Sequence, residues 1–365
     1  MIHKIACYLS SHGFGHAVRS ETVIVTMALE KPDWQFFIIS GSPEFLFKRA
    51  LQLPNVQLRS QATDFGLIQT NPRVINLTQT ATELEKLLSA YPALVEREES
   101  FLRRESISAL FCDIPFLPFL AGHNLSLPSA GMGNFTWDWI YHYYQQHNPV
   151  FEAAARLACR CYRHCGLYLS LPFSPGTTVF EQVKQIPLVC RQPGLPAASL
   201  KEELNIDLEH RVVLIGLSEL TLTDKAISKI EKIPGTTFLL PSPLKLQLKN
   251  GLNIPAKQAS FHSLLELADI ILTKPGYGII SSAIASCKPL ITTERGDFPE
   301  VRYLDRLLER TVGQTKLSMK RFDRGDWKKA LKQATHKQFD FAINGTEIAA
   351  EQLIRYFTLL PPDRY

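Results

Sequence analysis

Two short segments of this chain carry the residue types that proton transfer and anion binding require. In Ser11-His12-Gly13-Phe14-Gly15-His16, two histidines flank two glycines directly after the apolar run Ile2 to Leu9. Histidine changes charge near neutral pH, so a ring here could take a proton from a reacting hydroxyl. Gly13 and Gly15 would let the main chain approach a ligand closely. The segment is not a dinucleotide fingerprint, because Val18 stands where a third small residue is needed, and no Gly-Lys-Ser/Thr of a P-loop follows. The second segment is Thr273-Lys274-Pro275-Gly276-Tyr277-Gly278-Ile279-Ile280-Ser281-Ser282. It joins a buried run to a helical one, so amides at the helix start would face a diphosphate and Lys274 would add a point charge.

Other positions are weaker on type and spacing alone. Gly216-Leu217-Ser218-Glu219 has the form of a small phosphate loop with a single glycine. Asp113 closes an apolar run, where catalytic and binding side chains of α/β proteins gather. In Asn134-Phe135-Thr136-Trp137-Asp138, the carboxylate could serve a ligand or cap a helix, and Trp137 and Trp139 could be core or sugar platforms. Cys159, Cys161, His164 and Cys165 contain no CxxC pair, and only Cys161 and Cys165 share a helix face. Buried small hydrophobes are expected there, and no metal site.

These segments need elements to hold them. Short β-rich runs alternate with longer helical ones, the signature of βαβ units and parallel sheets. In the first half, strands are expected at Ile2–Leu9, Trp34–Ile39, Val56–Leu58, Ala109–Cys112, Leu127–Gly131 and Leu167–Leu169. The last of these ends the half. Helices are expected from about Ala17 to Leu29, over Thr78–Arg104 with a break near Pro92, and over Phe151–Arg163. Ser42 is expected to cap a short helix around Phe45. Five prolines between Pro172 and Pro196 then read as a connector. The second half places strands at Val212–Ile215, Thr237–Leu240, Ile270–Leu272 and Leu290–Thr292. The expected organisation is therefore α/β, with two doubly wound Rossmann-like domains, residues 1–190 and 191–345. A closing helix and tail, 346–365, would pack back on the first domain.

Composition narrows the partners. With 365 residues, 45% hydrophobic and 21% charged, the chain suits two globular domains rather than disorder. A formal charge of +5 fits an anionic small ligand or weak contact with a membrane periphery. The basic residues Lys320, Arg321, Arg324, Lys328 and Lys329 lack interleaved aromatics, so a solvated face is expected and no nucleic-acid partner. No apolar run reaches the roughly 18 residues of a membrane helix, and no signal-peptide pattern is present. The seven scattered cysteines point to a reducing compartment, so a cytoplasmic protein is expected.

Ser11-His-Gly-Phe-Gly-His-Ala17, Cys112-Asp-Ile-Pro115, Asn134-Phe-Thr-Trp-Asp-Trp-Ile-Tyr141 and Lys274-Pro-Gly-Tyr-Gly278 occur in an order that resembles a known family. It is the family 28-like GT-B glycosyltransferases, in particular the glycosyltransferase-like N-terminal region of arabinokinases. More remotely the chain is similar to the peptidoglycan lipid II N-acetylglucosaminyltransferase. The resemblance implies a GT-B fold, two Rossmann-like domains facing a cleft, with acceptor on the first domain and nucleotide-sugar on the second. It implies His16 as catalytic base; Asp113 at its strand end is the second catalytic candidate, and His12, Gly13, Gly15, Asn134 and Asp138 are candidates for the acceptor or the cleft. Gly216, Ser218, Lys274, Gly276, Tyr277, Gly278, Ser282 and Glu300 would hold the donor, a UDP-type nucleotide-sugar used as substrate, with no cofactor or metal. Relatives carry an acidic residue where this chain has Ser282, which changes how a ribose would be held. The activity implied is sugar transfer from a nucleoside diphosphate to a hydroxyl acceptor of unknown identity. The alternatives are a non-catalytic sugar-nucleotide sensor or scaffold, and a hydrolysing epimerase.

Overall fold

The computed structural model describes residues 3–71, 73–191, 198–311, 315–335 and 341–359. The chain forms two compact units. One is built from the chain up to Ile68, Asn76–Cys190 and the chain from Ala342; the other comprises Gln69–Ile75 and Arg191–Phe341. The strands of the first unit are β1 (Lys4–Leu9), β2 (Gln35–Ser40) and β3 (Val56–Ser60), then, after the hairpin strands β4 (Gln69–Asn71) and β5 (Val74–Ile75), which belong to the other unit, β6 (Ala109–Asp113), β7 (Ser129–Gly133), β8 (Leu167–Ser170) and β9 (Val183–Gln185). The second unit carries β10 (Arg211–Gly216), β11 (Thr236–Pro241), β12 (Gly251–Ile254), β13 (Ile270–Thr273), β14 (Leu290–Thr293) and β15 (Thr315–Leu317).

Both sheets are parallel and wound outwards in both directions from their first strand. The first runs β3-β2-β1-β6-β7-β8-β9 and the second β12-β11-β10-β13-β14-β15. Helices cover both faces of such a sheet, which is why Ile5–Leu9, Phe36–Ser40 and Ala109–Asp113 are buried residue after residue instead of alternating. Each fully buried Leu, Ile or Phe contributes about 1.5–3 kcal/mol relative to exposure. The first unit concentrates that burial in Tyr8, Phe111, Phe119, Trp137, Tyr141, Phe151 and Tyr162, and the second in Phe238, Phe322 and Trp327. Phe116, 2% exposed, and Phe119, 1% exposed, are therefore core residues.

Among the described residues five strands lie beyond the expected set: the short hairpin β4–β5, and β9, β12 and β15, each of these three at a sheet edge and only three or four residues long. β9 falls inside the proline-rich stretch read as a connector, so β8 does not end the first sheet. The long helix Leu77–Arg104 runs through Pro92 without a break. Its cap is Asn76, whose side chain accepts from the Gln79 amide at 2.9 Å. The stripe of Leu84, Val95, Phe101 and Leu102 it buries offsets the single amide bond that proline removes. Ser42 caps nothing; the turn Glu44–Phe47 is a 3-10 helix preceded by Pro43.

The helix Gly345–Leu359 packs against the helix Phe14–Glu30 within the first unit. Its start is tied to the end of that unit's main segment. The Thr346 hydroxyl donates to the Cys190 carbonyl at 2.9 Å, and the Gly345 amide donates to the Leu188 carbonyl at 3.1 Å.

Candidate functional site

In an open parallel sheet, the loops after the first strand and after its neighbour on the other side diverge, and ligands settle in the crevice between them. In the first unit those strands are β1 and β6, with Leu9 opposite Asp113 in register. The amide of Ser10 donates to the Asp113 carbonyl at 2.7 Å, which fixes the loop start to the strand end. Gly13 then adopts φ +78°, a left-handed conformation that favours glycine, and the helix begins at Phe14. That is three residues earlier than expected from the sequence. His16 consequently sits in the first helical turn rather than in a loop, and the helix brings Arg19 and Ser20 to the same face.

All three converge on Asp113. His16 Nδ1 lies 2.8 Å from Asp113 Oδ1, Arg19 Nε donates to Oδ2 at 2.7 Å, and Arg19 Nη2 donates to Oδ1 at 2.5 Å. The Ser20 hydroxyl donates to Oδ2 at 2.6 Å, and Arg19 Nη1 donates to Asn134 Oδ1, also at 2.6 Å. Asp113 is fully buried, and Arg19 is 3% exposed. Burial would push the Asp113 carboxyl up, but Arg19 and then His16 outweigh it and hold the group well below the usual carboxylate range. Arg19 Nη2 and His16 Nδ1 are 3.0 Å apart because both address the same oxygen. An ionised Asp113 accepts, so neutral His16 carries its proton on Nδ1 and keeps a lone pair on Nε2.

Around this cluster lies a second buried carboxylate. Asp64 accepts from the Ser11 amide at 3.1 Å and from the Trp137 indole at 2.9 Å, and burial pushes its carboxyl up. His12 takes a different place from His16. It stands edge-on to Trp137 with ring centroids 5.2 Å apart, and the Leu67 amide donates to its Nδ1 at 3.4 Å. Trp137 is wholly buried and belongs to the core. Gly15 lies on the first helical turn. Asp138 lies apart from Asp113, in the first turn of the helix Trp137–Tyr143. Cys161 and Cys165 are buried and Cys159 is partly so, all as free thiols.

The second unit repeats the geometry with other side chains. Its crevice lies between β10 and β13, where Gly216 pairs with Thr273 and the Thr273 hydroxyl donates to the Gly216 carbonyl at 2.8 Å. A Cβ on Gly216 would stand 2.3 Å from Ile279 Cδ1, so glycine permits the close approach of strand and helix. The helix Tyr277–Ala285 starts at Gly276, whose backbone is extended; a Cβ there would meet nothing within 4 Å. Lys274 precedes it, its ammonium pushed down to about 7 by burial and by neighbouring Arg295, with Glu300 opposing. Arg295 Nη1 contacts Glu300 at 3.2 Å and donates to the Pro275 carbonyl at 3.3 Å, while its guanidinium lies 4.0 Å from the Phe298 ring centroid. Tyr277 is buried and Ser218 is exposed. The Ser282 hydroxyl donates to the Gly278 carbonyl at 2.9 Å within its own helix.

The structure thus gathers His16 with Asp113 and Asn134, and Lys274 with Gly276 and Glu300. Sequence reasoning missed Arg19, Ser20 and Asp64. The signal for the first two was helical spacing from His16, visible only once the helix is started at Phe14. Asp64 carried no local signal.

Two doubly wound units of this topology define the GT-B fold, the architecture of a large group of glycosyltransferases, and comparison with known proteins agrees. The L-arabinokinase of Arabidopsis thaliana is 26% identical over 367 residues, a match covering 95% of this chain and 34% of that protein. The chain spans about a third of the length of the curated relative it matches. Among solved structures, a UDP-glucosyltransferase from Polygonum tinctorium capable of glucosylating indoxyl has a TM-score of 0.62 at 10% identity, over 99% of both chains. MurG of Acinetobacter baumannii has a TM-score of 0.51 at 10% identity, over 97% of this chain and 100% of that one. No family model matches. The arabinokinase-like resemblance in the motifs therefore extends along nearly the whole chain, and the fold is shared with the two solved structures. Among the described residues, no helix is long and apolar enough to cross a membrane.

Proposed function

We propose that this protein is a glycosyltransferase that moves a sugar from a nucleoside diphosphate donor to a hydroxyl acceptor. The observation that carries the reading is the 2.8 Å contact between His16 Nδ1 and Asp113, at the β1–β6 crevice of a GT-B fold. His16 Nε2 takes the proton of the acceptor hydroxyl as its oxygen bonds to the anomeric carbon of the donor. The bond from that carbon to the diphosphate breaks, and the diphosphate leaves with the electron pair. Asp113 holds the tautomer and steadies the imidazolium that forms, while Arg19 and Ser20 fix the carboxylate in place.

The donor diphosphate is assigned to the start of the helix Tyr277–Ala285. Its first amides are not capped by a side chain, and Lys274 and Arg295 supply positive charge as negative charge develops on the leaving group. Gly216 and Ser218 line the approach, and Glu300 sets Arg295. A UDP-type donor fits the glucosyltransferase likeness. A cytoplasmic setting fits the free cysteines, since thiols persist in reducing compartments.

A thermal-shift screen against nucleoside diphosphates and their sugar conjugates tests donor binding. A ligand at 100 times its Kd should stabilise the fold by about 2.7 kcal/mol. Turnover of the hit by the wild-type protein, and its loss in His16→Ala, is the expected result. One observation favours the non-catalytic reading: Ser282 spends its hydroxyl on the Gly278 carbonyl and offers no carboxylate to a ribose. Nucleotide-sugar binding without transfer to any acceptor would select that reading, and release of free sugar without acceptor would select a hydrolase.

A further inference from the structure

Two buried carboxylates, Asp113 and Asp64, feel the charge of the His16 ring, and their own charges are matched differently. Asp113 accepts from two nitrogens of the Arg19 guanidinium, so a full positive charge already stands against it. Asp64, in the loop after β3, accepts from the Ser11 amide, the Trp137 indole and the Ser10 side chain, none of which is charged. The amide bonds one carboxylate oxygen and the indole the other. Neither N–H can accept in return, so the ionised carboxylate is the form these partners satisfy.

The surroundings fix Asp64 in place and keep water scarce. The His16 ring stands edge-on to buried Phe135 with centroids 5.4 Å apart, and Phe135 stands edge-on to Trp137 at 5.4 Å, which leads to Asp64. Ser11 Oγ accepts from the Gly41 amide at 2.9 Å, and the Ser10 hydroxyl accepts from the His12 amide at 3.2 Å. Gly66 has φ +66°, and a Cβ there would stand 2.6 Å from both the His12 ring and Trp137. The other titratable groups around the pair are His12, edge-on to Trp137, and two tyrosines. Burial, and then Asp64, pushes the Tyr141 phenol well above its usual value, and burial does the same to Tyr168 beside Arg19 and Asp113, so both stay neutral. When His16 takes a proton, Arg19 has already answered Asp113, and Asp64 supplies the negative charge in excess. The attraction is mutual: the ring opposes the effect of burial on Asp64, and Asp64 favours the charged ring.

We propose that Asp64 is a positioning residue of this site, whose uncompensated charge stabilises the imidazolium formed on His16 during transfer. This rests on the reading of His16 as the base. The Trp137 indole N–H bonds Asp64 directly, so its NMR resonance reports the ionisation of that carboxyl without donor or acceptor. In the wild type the resonance is expected to titrate above the ordinary carboxylate range and below the pH of turnover, and Asp64→Asn to abolish that transition. His16→Ala should move it upward by about half a pH unit or more, because the ring no longer opposes burial. Asp64→Asn should also lower kcat about tenfold or more, with the Kd for the nucleoside diphosphate unchanged. A transition that stays in place in His16→Ala overturns the proposal. So does one lying above the pH of turnover, which would mean a neutral Asp64, and so does wild-type kcat in folded Asp64→Asn. If Asp64→Asn does not fold, the wild-type and His16→Ala titrations decide alone. A transition that moves with His16, in a protein that turns over no nucleotide-sugar, would sink the transferase reading and leave the coupling of Asp64 to His16 standing.

Discussion

The helices Phe14–Glu30 and Tyr277–Ala285 both begin at a glycine at a strand end and end up in different electrostatic settings. Each follows the first or the neighbouring strand at the crevice of its sheet, and each is preceded by a glycine that supplies no capping side chain. In the first unit the charges are internally closed, with Asp113 buried between Arg19, His16 and Ser20. In the second unit two cations, Lys274 and Arg295, face one carboxylate, Glu300, and burial has pushed Lys274 down to about 7. A closed cluster is suited to orienting one proton acceptor. Two cations held close together where solvent is scarce are suited to receiving an anion. Two uncapped, glycine-led helix starts acquire different chemistry from the side chains around them.

The sharpest way to break this comparison is to open the closed cluster. Asp113→Ala removes the carboxylate that accepts two bonds from the buried Arg19 guanidinium and one from Ser20. A loss of about 3–5 kcal/mol in denaturant unfolding is expected, together with loss of transfer. Lys274→Ala, by contrast, should leave stability nearly unchanged or raised, since it removes a cation that burial disfavours. Equal destabilisation by both would contradict the distinction between the two sites. Acid should act in the same direction as Asp113→Ala. The native Asp113 carboxyl is held below its usual range, so its contribution is fully present above about pH 4 and is lost as pH falls toward the native value.

His16→Ala should cut kcat by about 10²–10⁴-fold while the Kd for the nucleoside diphosphate stays the same, because the base and the anion site lie in different units. Asp113→Asn should fall between wild type and His16→Ala in rate, since the amide can present the wrong partner to Nδ1. A change in donor affinity with no change in kcat would reassign His16 to binding.

How far the sequence revealed these sites depends on how local each signal was. The strand–loop–helix pattern around Ser11–His16 and Thr273–Gly278 is contiguous, so both crevices and the two central strands beside each were legible. Arg19 and Ser20 lie on the same helix as His16, yet starting the helix at Ala17 instead of Phe14 left His16 outside it and hid their shared face. Asp64 comes from a loop more than 50 positions away in sequence from Ser11, and only folding joins them. The strands β9, β12 and β15 went unseen because edge strands are short and polar: Val183–Gln185 is exposed at every residue. Pro92 misled in the opposite direction, since its local penalty is smaller than the packing of a 28-residue helix.

Donor affinity should depend on pH through Lys274. A diphosphate prefers the charged ammonium, so binding raises the native value of about 7 and takes up a proton. Affinity should then be flat below pH 6 and fall by up to about tenfold per unit above pH 7. Calorimetry of nucleoside diphosphate binding in buffers of different ionisation enthalpy would read the proton directly. Lys274→Met should bind more weakly and lose that uptake; uptake that survives the substitution would move the titrating group elsewhere.

The smallest effect is expected at Ser282, and it sharpens the contrast between a charge-rich and a charge-poor part of the same helix. Its hydroxyl bonds the Gly278 carbonyl one turn back, a contact that neutral substitutions on a helix readily replace. Ser282→Ala should therefore change melting by no more than about 0.5 kcal/mol and leave nucleotide affinity untouched. Ser282→Glu is the informative partner. A carboxylate at that position could accept from ribose hydroxyls, so uridine diphosphate should bind more tightly to Ser282→Glu than to wild type, while inorganic diphosphate should bind no better. Tighter binding of both would mean that the new charge acts through the helix rather than on the ribose, and weaker binding of both would mean that the sugar of the nucleoside lies elsewhere.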